Sequence, residues 1–275
     1  MKSAVALLAG AVAWLCVGPG LRAAEPEPLT GVLGAMPVEI QLLRGWLAEA
    51  RTETHLGVTF HRGRLHGRAV ALAASGIGKV NAARTATLLL EHYQPHEVLF
   101  TGVAGGLNPE LAAGDLVLGE KTGQHDFGKL TDAGFTAEPT GTGIPLLLPT
   151  SPTLLALAEA AVPDAGLAML PTSHGLRQPR VRRGIIVTGD MFVASAAKTA
   201  ELRNRFQADA VEMEGAAVTQ VCWPQRVPCL VIRSISDKAD AAAPVDFEQF
   251  VSFAATNSAR LTAAMLKRLA SPPKP

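Results

Sequence analysis

Short apolar runs that end in glycine or polar turns alternate with stretches of helical length, and no other feature constrains the fold of this chain as strongly. The runs of strand length are LTGVLGAM (29–36), HEVLFTGVAGG (96–106), GDLVLGE (114–120), RGIIVTGD (183–190) and VPCLVIRSISD (227–237). The segment 57–75 predicts two further paired strands that turn near His66 and Gly67. Strands alternating with helices predict a layered α/β domain.

Five stretches have the apolar spacing of helices. They are residues 81–93, 151–162, 195–206, 214–223 and 247–269. Ser151 is a candidate N-cap with Pro152 at the first helical position. The Gly and Pro content of 138–150 predicts a long loop. Because the chain has no internal repeat, residues 29–270 are expected to form one domain.

Charge and the N-terminal residues bear on partners and location. Of 275 residues, 25 are basic and 24 acidic, so nucleic acid is not an expected partner. Residues 1–24 combine Lys2, an apolar run and the small residues Ala23 and Ala24, which predicts a signal peptide and a periplasmic or secreted protein. We expect no stable membrane span after processing, since the run is short. A retained membrane-anchoring segment is the alternative.

Two cysteines, Cys222 and Cys229, remain once the leader is removed. Export would permit a disulfide between them, whereas two thiols in the core, at a helix end and a strand start, are the other interpretation and the favoured one. Neither cysteine has a His or a second Cys at metal-ligand spacing. No metal site is therefore predicted.

Glycine or polar turns are predicted at the ends of four strands: GAM (34–36), SGIGK (75–79), TGVAGG (101–106) and TGD (188–190). In open α/β sheets, ligands bind beyond the carboxyl ends of the strands, so these turns are candidate walls of a site. None of them matches a dinucleotide or P-loop fingerprint. The sequence therefore predicts no nucleotide cofactor and no organic cofactor of any other kind.

Three acidic residues stand just past apolar runs, namely Glu39, Glu214 and Asp237. An acid at such a point either interacts with the positive end of a helix or is offered to a ligand. Asp237 follows an apolar strand, which predicts a raised pKa. Glu212, two residues before Glu214, is interpreted as structural, pairing or capping near the same turn.

The series GAMPVEI, SGIGKVNAA, TGVAGGL, GDMF, VEMEGAAV and RSISDKAD, in this order, resembles the purine nucleoside phosphorylase/hydrolase superfamily. Within it, the likeness is to the 5'-methylthioadenosine/S-adenosylhomocysteine nucleosidases, and it runs from about Gly31 to the last helix. The resemblance implies a three-layer αβα fold with a central mixed β-sheet, hydrolysis of the N-glycosidic bond of a small-molecule adenine nucleoside, and a homodimer.

The resemblance also implies roles for individual residues. Glu39 would activate the attacking water, and Asp237 would protonate the purine N7, with Ser236 orienting its carboxyl group. Glu214 would hold the ribose 2' and 3' hydroxyls. The residues implied to bind other parts of the substrate or to lie near the water are Met213, Phe192, the backbone near Val193, Arg233, Met36, Ile77 and Phe247.

Two positions bear on the activity that the resemblance implies. Family members usually carry Ser where this chain has Val103, next to the ribose and the water. Phosphorylases of the superfamily typically have an Arg for phosphate at the place of Thr101, so hydrolysis is favoured over phosphorolysis. A non-catalytic nucleoside-binding protein of the cell envelope is a second alternative, and it would not need both Glu39 and Asp237.

Overall fold

The computed structural model describes residues 27–141, 143–173 and 175–270. The predicted signal peptide, residues 1–24, lies outside the described residues. The strands are β1 Leu29–Gly34, β2 Ala48–His55, β3 Val58–Leu65, β4 Arg68–Ala74, β5 Glu97–Gly106, β6 Leu116–Gln124, β7 Gly128–Thr131, β8 Gly134–Ala137, β9 Leu148–Pro149, β10 Leu170–Thr172, β11 Gly175–Arg177, β12 Val181–Thr188, β13 Ala210–Glu212 and β14 Cys229–Asp237. The α-helices are α1 Pro37–Gly45, α2 Lys79–Tyr93, α3 Pro152–Ala161, α4 Ala196–Phe206, α5 Gly215–Cys222 and α6 Ala243–Ala270. None of these helices is long and apolar enough to cross a membrane.

One mixed sheet organises the domain, with the strand order β13-β12-β6-β14-β5-β1-β4-β3-β2. The strands β14, β5, β1 and β4 run parallel to their neighbours in this series, whereas β6 pairs with β14 antiparallel. The strand β13 also pairs antiparallel with β5, so this part of the sheet closes on itself. All ten residues of β5 are buried, as expected for a strand with helices on both faces.

Helices cover both faces of the sheet, which gives the predicted three-layer αβα arrangement. On one face α2 and α5 pack together over Phe100 of β5. On the other face α1, α3 and α6 pack over Leu99 of the same strand and Ile232 of β14. Successive residues of a strand point to opposite faces, so Leu99 and Phe100 contribute to different halves of the core. The predicted α/β fold is therefore confirmed.

The predicted strands and helices are present, and the structure adds α1, β2 and the short strands β7, β8, β9, β10, β11 and β13. The strand β2 and the helix α1 were not expected from the apolar pattern, because β2 is a mostly exposed edge strand and α1 begins at Pro37, three residues after β1 ends. The prediction of a glycine turn at 101–106 is wrong, since these residues are the extended last part of β5. Within the predicted loop 138–150, Leu148 and Pro149 pair with β6.

Both cysteines are buried free thiols at the end of α5 and the start of β14, as the favoured interpretation expects. A hydrogen bond between the two thiols, together with burial, raises the pKa of Cys229 well above its ordinary value. Ser151 does precede α3 with Pro152 at its start, although the Ser151 side chain makes no capping hydrogen bond.

Candidate active site

A single cavity of about 100 Å³ lies beyond the carboxyl ends of β1, β5, β13 and β14. It is lined by Ala35, Met36, Glu39, Ile77, Val103, Ala104, Gly105, Phe192, Val211, Glu212, Met213, Glu214, Ser236, Asp237 and Phe247. Four larger clefts, of about 690, 220, 750 and 370 Å³, include none of the residues Glu39, Glu214 and Asp237 in their lining. The cavity therefore brings together the three acids that the sequence places at strand ends, and ligand chemistry is expected here.

Glu39 lies in the first turn of α1 with only 2% of its surface exposed. One carboxylate oxygen accepts hydrogen bonds from the backbone N–H groups of Ala35 (2.6 Å) and Met36 (2.8 Å), and the other accepts one from Val103 (2.9 Å). Burial raises the pKa of Glu39, while Arg233 and the three N–H donors act in the opposite direction. The carboxylate is thus fixed in place by backbone groups of two neighbouring strand ends.

Asp237 ends β14 and is 3% exposed. Its Oδ2 accepts a hydrogen bond from the Ser236 hydroxyl (2.7 Å), and its Oδ1 accepts one from the N–H of Ala239 (2.8 Å). Burial raises the pKa of Asp237, although both hydrogen bonds lower it. The sequence-based expectation of a raised pKa is confirmed, and the predicted contact with Ser236 is present.

Glu214 stands immediately before α5 and is 5% exposed. Its Oε1 accepts a hydrogen bond from the N–H of Gly78 (2.8 Å), in the loop before α2. Burial, followed by the charge of Glu212, raises the pKa of Glu214 to about 8, while Arg233 lowers it. Glu214 therefore holds its proton more tightly than an exposed glutamate at neutral pH.

Glu212 has the structural role that its position suggested. Its Oε2 accepts the N–H groups of Glu214 (3.1 Å) and Gly215 (2.7 Å), which caps the start of α5. The same oxygen lies 2.6 Å from the guanidinium of Arg233, and the Thr188 hydroxyl donates to the other oxygen. Glu212 thus neutralises a buried cation and satisfies a helix terminus.

Arg233 is fully buried below the cavity and is not one of the lining residues. Its guanidinium lies 3.8 Å from Glu214 and 4.2 Å from the centre of the Phe100 ring. The charges of Glu212 and Glu39 also face it and, with Glu214, raise its pKa against the effect of burial. Arg233 is therefore the central cation among three acids, placed behind Glu39 rather than in the cavity.

Gly102 explains why β5 can continue between these charges. A Cβ atom on this residue would overlap Nη1 of Arg233 and the carboxylate of Glu39. Further along the strand, the N–H of Val103 bonds to Glu39, and the Cβ position of Gly105 lies 3.0 Å from Oδ1 of Asp237. One extended strand therefore separates the two acids.

Apolar side chains form the open side of the cavity. Phe192 and Phe247 meet edge to face, with ring centres 5.7 Å apart, and Phe192 is 48% exposed. Met36, Met213 and Ile77 complete this wall. The lining includes all the predicted site residues except Val193 and Arg233. Val193 is buried instead in the core cluster that includes Leu202 and Phe206.

Sequence reasoning missed several groups that build the site. The N–H groups of Ala35, Val103 and Gly78 hold carboxylates, and no side-chain pattern reveals such backbone donors. Lys79 and Asp126 form an ion pair beside the cavity. The signal in the sequence that could have indicated this pair was the presence of polar residues after strands of the predicted sheet. In the part of the chain that the structure describes, no group of His, Cys, Asp and Glu side chains is arranged to hold a metal ion.

This geometry agrees with a family match. The sequence model of the phosphorylase superfamily matches residues 30–270, and the chain belongs to that superfamily. The superfamily resemblance inferred from the motifs is therefore confirmed.

Named relatives narrow the comparison. A protein of Mycobacterium bovis named 5'-methylthioadenosine/S-adenosylhomocysteine nucleosidase is 40% identical over 245 residues, which are 86% of this chain and 96% of that protein. The solved nucleosidase of this name from Neisseria meningitidis, in complex with methylthio-immucillin-A, has a TM-score of 0.78 and 35% identity, covering 87% of this chain and 99% of the other. Futalosine hydrolase of Helicobacter pylori has a TM-score of 0.77 and 33% identity, covering 88% and 98%.

Proposed function

We propose that this protein hydrolyses the N-glycosidic bond of 5'-substituted adenosines, releasing adenine and a ribose derivative. One observation carries the proposal. Glu39 and Asp237 are 198 positions apart in the sequence (237 − 39), yet both line the same cavity, which Glu214 lines as well. The nucleosidases that resemble this chain over most of its length support the same activity.

Glycosidic cleavage proceeds through a cation-like sugar carbon, so the departing base needs a proton and water must arrive on the opposite face. We assign the proton to Asp237, because burial keeps its carboxyl group protonated to higher pH than usual. Its bond from Ser236 fixes the orientation of that group. We assign activation of the water to Glu39, because burial raises its pKa and so strengthens it as a base, while the nearby Arg233 and its backbone donors favour the charged form.

Glu214 is the proposed ligand of the ribose hydroxyls. Above its pKa of about 8, Glu214 is a carboxylate, and a carboxylate accepts hydrogen bonds from a diol more strongly than a neutral acceptor does. Its charge also favours the sugar as positive charge develops there. In this assignment Met213 and Phe192 pack against the ribose and the base, the backbone near Val193 reads the adenine edge, and Arg233 acts from behind Glu39.

Water is the proposed nucleophile rather than phosphate. Among the described residues, the cavity lining includes no Lys, Arg or His side chain that could bind a phosphate ion. Thr101, at the place of the phosphorylase arginine, is fully buried and bonded to Ser258 (2.7 Å). Val103 supplies its backbone N–H to Glu39, a contact that does not depend on the usual serine side chain.

The apolar wall indicates the class of 5' substituent. Met36, Ile77 and Phe247 offer no charged partner, which favours a thioether such as that of methylthioadenosine. The names of the nucleosidase relatives support methylthioadenosine and S-adenosylhomocysteine, and the likeness to futalosine hydrolase makes a futalosine-type nucleoside the alternative.

We further propose that two copies form a homodimer and that the leader directs the protein to the periplasm or the exterior.

Adenine release tests the proposal. Purified protein is incubated with methylthioadenosine, S-adenosylhomocysteine, 5'-deoxyadenosine, adenosine and aminofutalosine in phosphate-free buffer, and free adenine is measured by chromatography. We expect release from the thioethers without phosphate. Release that requires phosphate and yields a ribose 1-phosphate would establish phosphorolysis, and intact nucleoside after long incubation would establish a binding protein.

A further inference from the structure

Lys79, the first residue of α2, joins three loops at the edge of the cavity. Its Nζ lies 2.6 Å from Oδ1 of Asp126, 3.0 Å from Oε1 of Gln124 and 3.8 Å from Oδ2 of Asp190. The side chains of Lys79 and Asp126 are 17% and 19% exposed, so this pair is mostly shielded from water. The sequence analysis gave none of these residues a function.

Backbone bonds tie the same loops together. The N–H of Lys79 donates to Oδ1 of Asp190 (2.8 Å), and the N–H of Asp190 donates to Oδ2 of Asp126 (2.8 Å). Asp126 therefore uses one oxygen for the ammonium group and the other for the backbone of a different loop. The resulting network connects the start of α2 with the segments that follow β6 and β12.

Both loops of this network reach the substrate cavity. On one side, Gly78 donates its N–H to Glu214, and the adjacent Ile77 lines the cavity. On the other side, Phe192 lies two residues beyond Asp190 and also lines it. Gly78 has a φ of +95°, and a Cβ there would lie 3.2 Å from Oδ1 of Asp190, so the two loops approach closely at this point.

We propose that Lys79 and Asp126 are positioning residues that hold the ribose-side loop 75–78 and the base-side loop 189–193 at a fixed separation, and so set the affinity for the nucleoside. This inference rests on the proposed function. An exposed ion pair contributes little, but this pair is shielded and bonded to two loops at once.

The first test is a double-mutant cycle on Lys79→Met and Asp126→Asn, with Lys79→Arg as the charge-conserving variant. Arg183→Met is the matched control, because Arg183 forms an exposed 2.6 Å bridge to Glu159 at the opposite end of β12 from the site. We expect each loop variant to raise KM about tenfold and the double variant to raise it no further, since the residues act as one unit. We expect a smaller change in kcat, partial recovery in Lys79→Arg and no change in the control.

A pH profile separates positioning from general stabilisation. The N–H of Gly78 lowers the pKa of Glu214, as does Arg233, whereas burial and the charges of Glu212 and Glu39 raise it. If the loop variants release Gly78, the pKa of Glu214 rises, and the acid limb of kcat/KM moves to higher pH. A merely structural pair would leave that limb where it is in the parent.

Binding of formycin A, an adenosine analogue whose glycosidic bond is carbon to carbon and cannot be hydrolysed this way, tests the network without turnover. If the parent binds formycin A but releases no adenine from the nucleosides of the release assay, the proposed function is overturned. The network can then still be tested through the Kd for formycin A. A parent that neither binds nor cleaves overturns both. If Lys79→Met fails to fold, Asp126→Asn and Lys79→Arg decide. Folded loop variants whose KM and Kd stay within about twofold of the parent, or an additive cycle, would overturn the positioning role.

Discussion

Replacement of Asp237 by Asn separates proton delivery from the architecture that holds the side chain. The amide oxygen of Asn can accept the N–H of Ala239, which bonds Oδ1 at 2.8 Å in the parent. The amide NH₂ can donate to the Ser236 oxygen, which lies 2.7 Å from Oδ2 in the parent. No buried polar group is left without a partner, so the substitution removes the proton and little else.

The expected loss of rate follows from the role of a general acid. Proton transfer by a positioned side chain contributes about 10²- to 10⁴-fold, which is about 2.7 to 5.4 kcal/mol of transition-state stabilisation. We therefore expect kcat for adenine release to fall at least about a hundredfold in Asp237→Asn. The assay is adenine release from methylthioadenosine under saturating substrate in phosphate-free buffer.

The same variant makes a prediction about stability with a defined sign. Burial raises the pKa of Asp237 in the folded state. The stability contributed by its protonated form is complete below the pKa of the unfolded chain and is lost as pH rises through the folded pKa. Asn cannot ionise, so the melting temperature of the variant relative to the parent should increase as pH rises above about 3.9, the ordinary pKa of Asp.

A matched control is Asp240→Asn, three residues further along the chain. Asp240 accepts the N–H of Ala242 at 2.9 Å and is not in the cavity lining, but its charge also acts on Asp237. The control should keep activity within about threefold of the parent, since it removes a charge but no proton donor to the substrate. An Asp237→Asn variant that retains a third or more of the parental rate, while folded, would refute the assignment of the acid.

Three further predictions concern the acids, the strand between them and the thiols. Burial raises the pKa of Glu39 and brings that of Glu214 to about 8, far above the value near 4.3 for a free glutamate. The value of kcat/KM should therefore fall as pH drops below about 8. A flat profile of kcat/KM from about pH 5 to about pH 8 would contradict this prediction. Gly102→Ala should lower the free energy of unfolding by about 1–3 kcal/mol in denaturant titrations and reduce adenine release, because the new methyl group overlaps the carboxylate of Glu39. Iodoacetamide at about pH 8 should leave Cys222 and Cys229 unmodified in the native protein, because both thiols are buried. In denaturant both should be labelled, as measured by intact mass. Rapid labelling of the native protein would show that the thiols are accessible.

The apolar pattern was sufficient for most of the fold, because buried strands such as β5 and β14 are continuous hydrophobic runs. The same pattern could not reveal β2, whose sequence AEARTETH is polar because the strand lies at the sheet edge. It also misassigned 101–106 as a turn, since glycines usually mark turns. Here the glycine at position 102 leaves room for charged side chains beside an extended strand.

For the site, the sequence motifs selected acids that the fold brings together, but they could not give the environment of those acids. Glu39, Glu214 and Asp237 line one cavity, as the series of strand-end motifs indicates. Arg233 lies behind the cavity because three buried acids surround its guanidinium, a long-range arrangement that one sequence does not encode locally. The pairing of Lys79, at the start of α2, with Asp126, after β6, likewise joins residues that are 47 positions apart in the chain.

The extended segment 102–106 of β5 has a consequence for how substrate preference can change. Its backbone holds Glu39 through Val103, and its Gly105 lies against Asp237, so the separation of the two acids is set by a strand that is buried at every residue. Of the residues that we propose to surround the 5' end of a nucleoside, Met36 and Ile77 lie in connections that follow strands, whereas Phe247 lies in α6. Changes in these connections can therefore admit new 5' groups, while the separation of Glu39 and Asp237 stays fixed by the core.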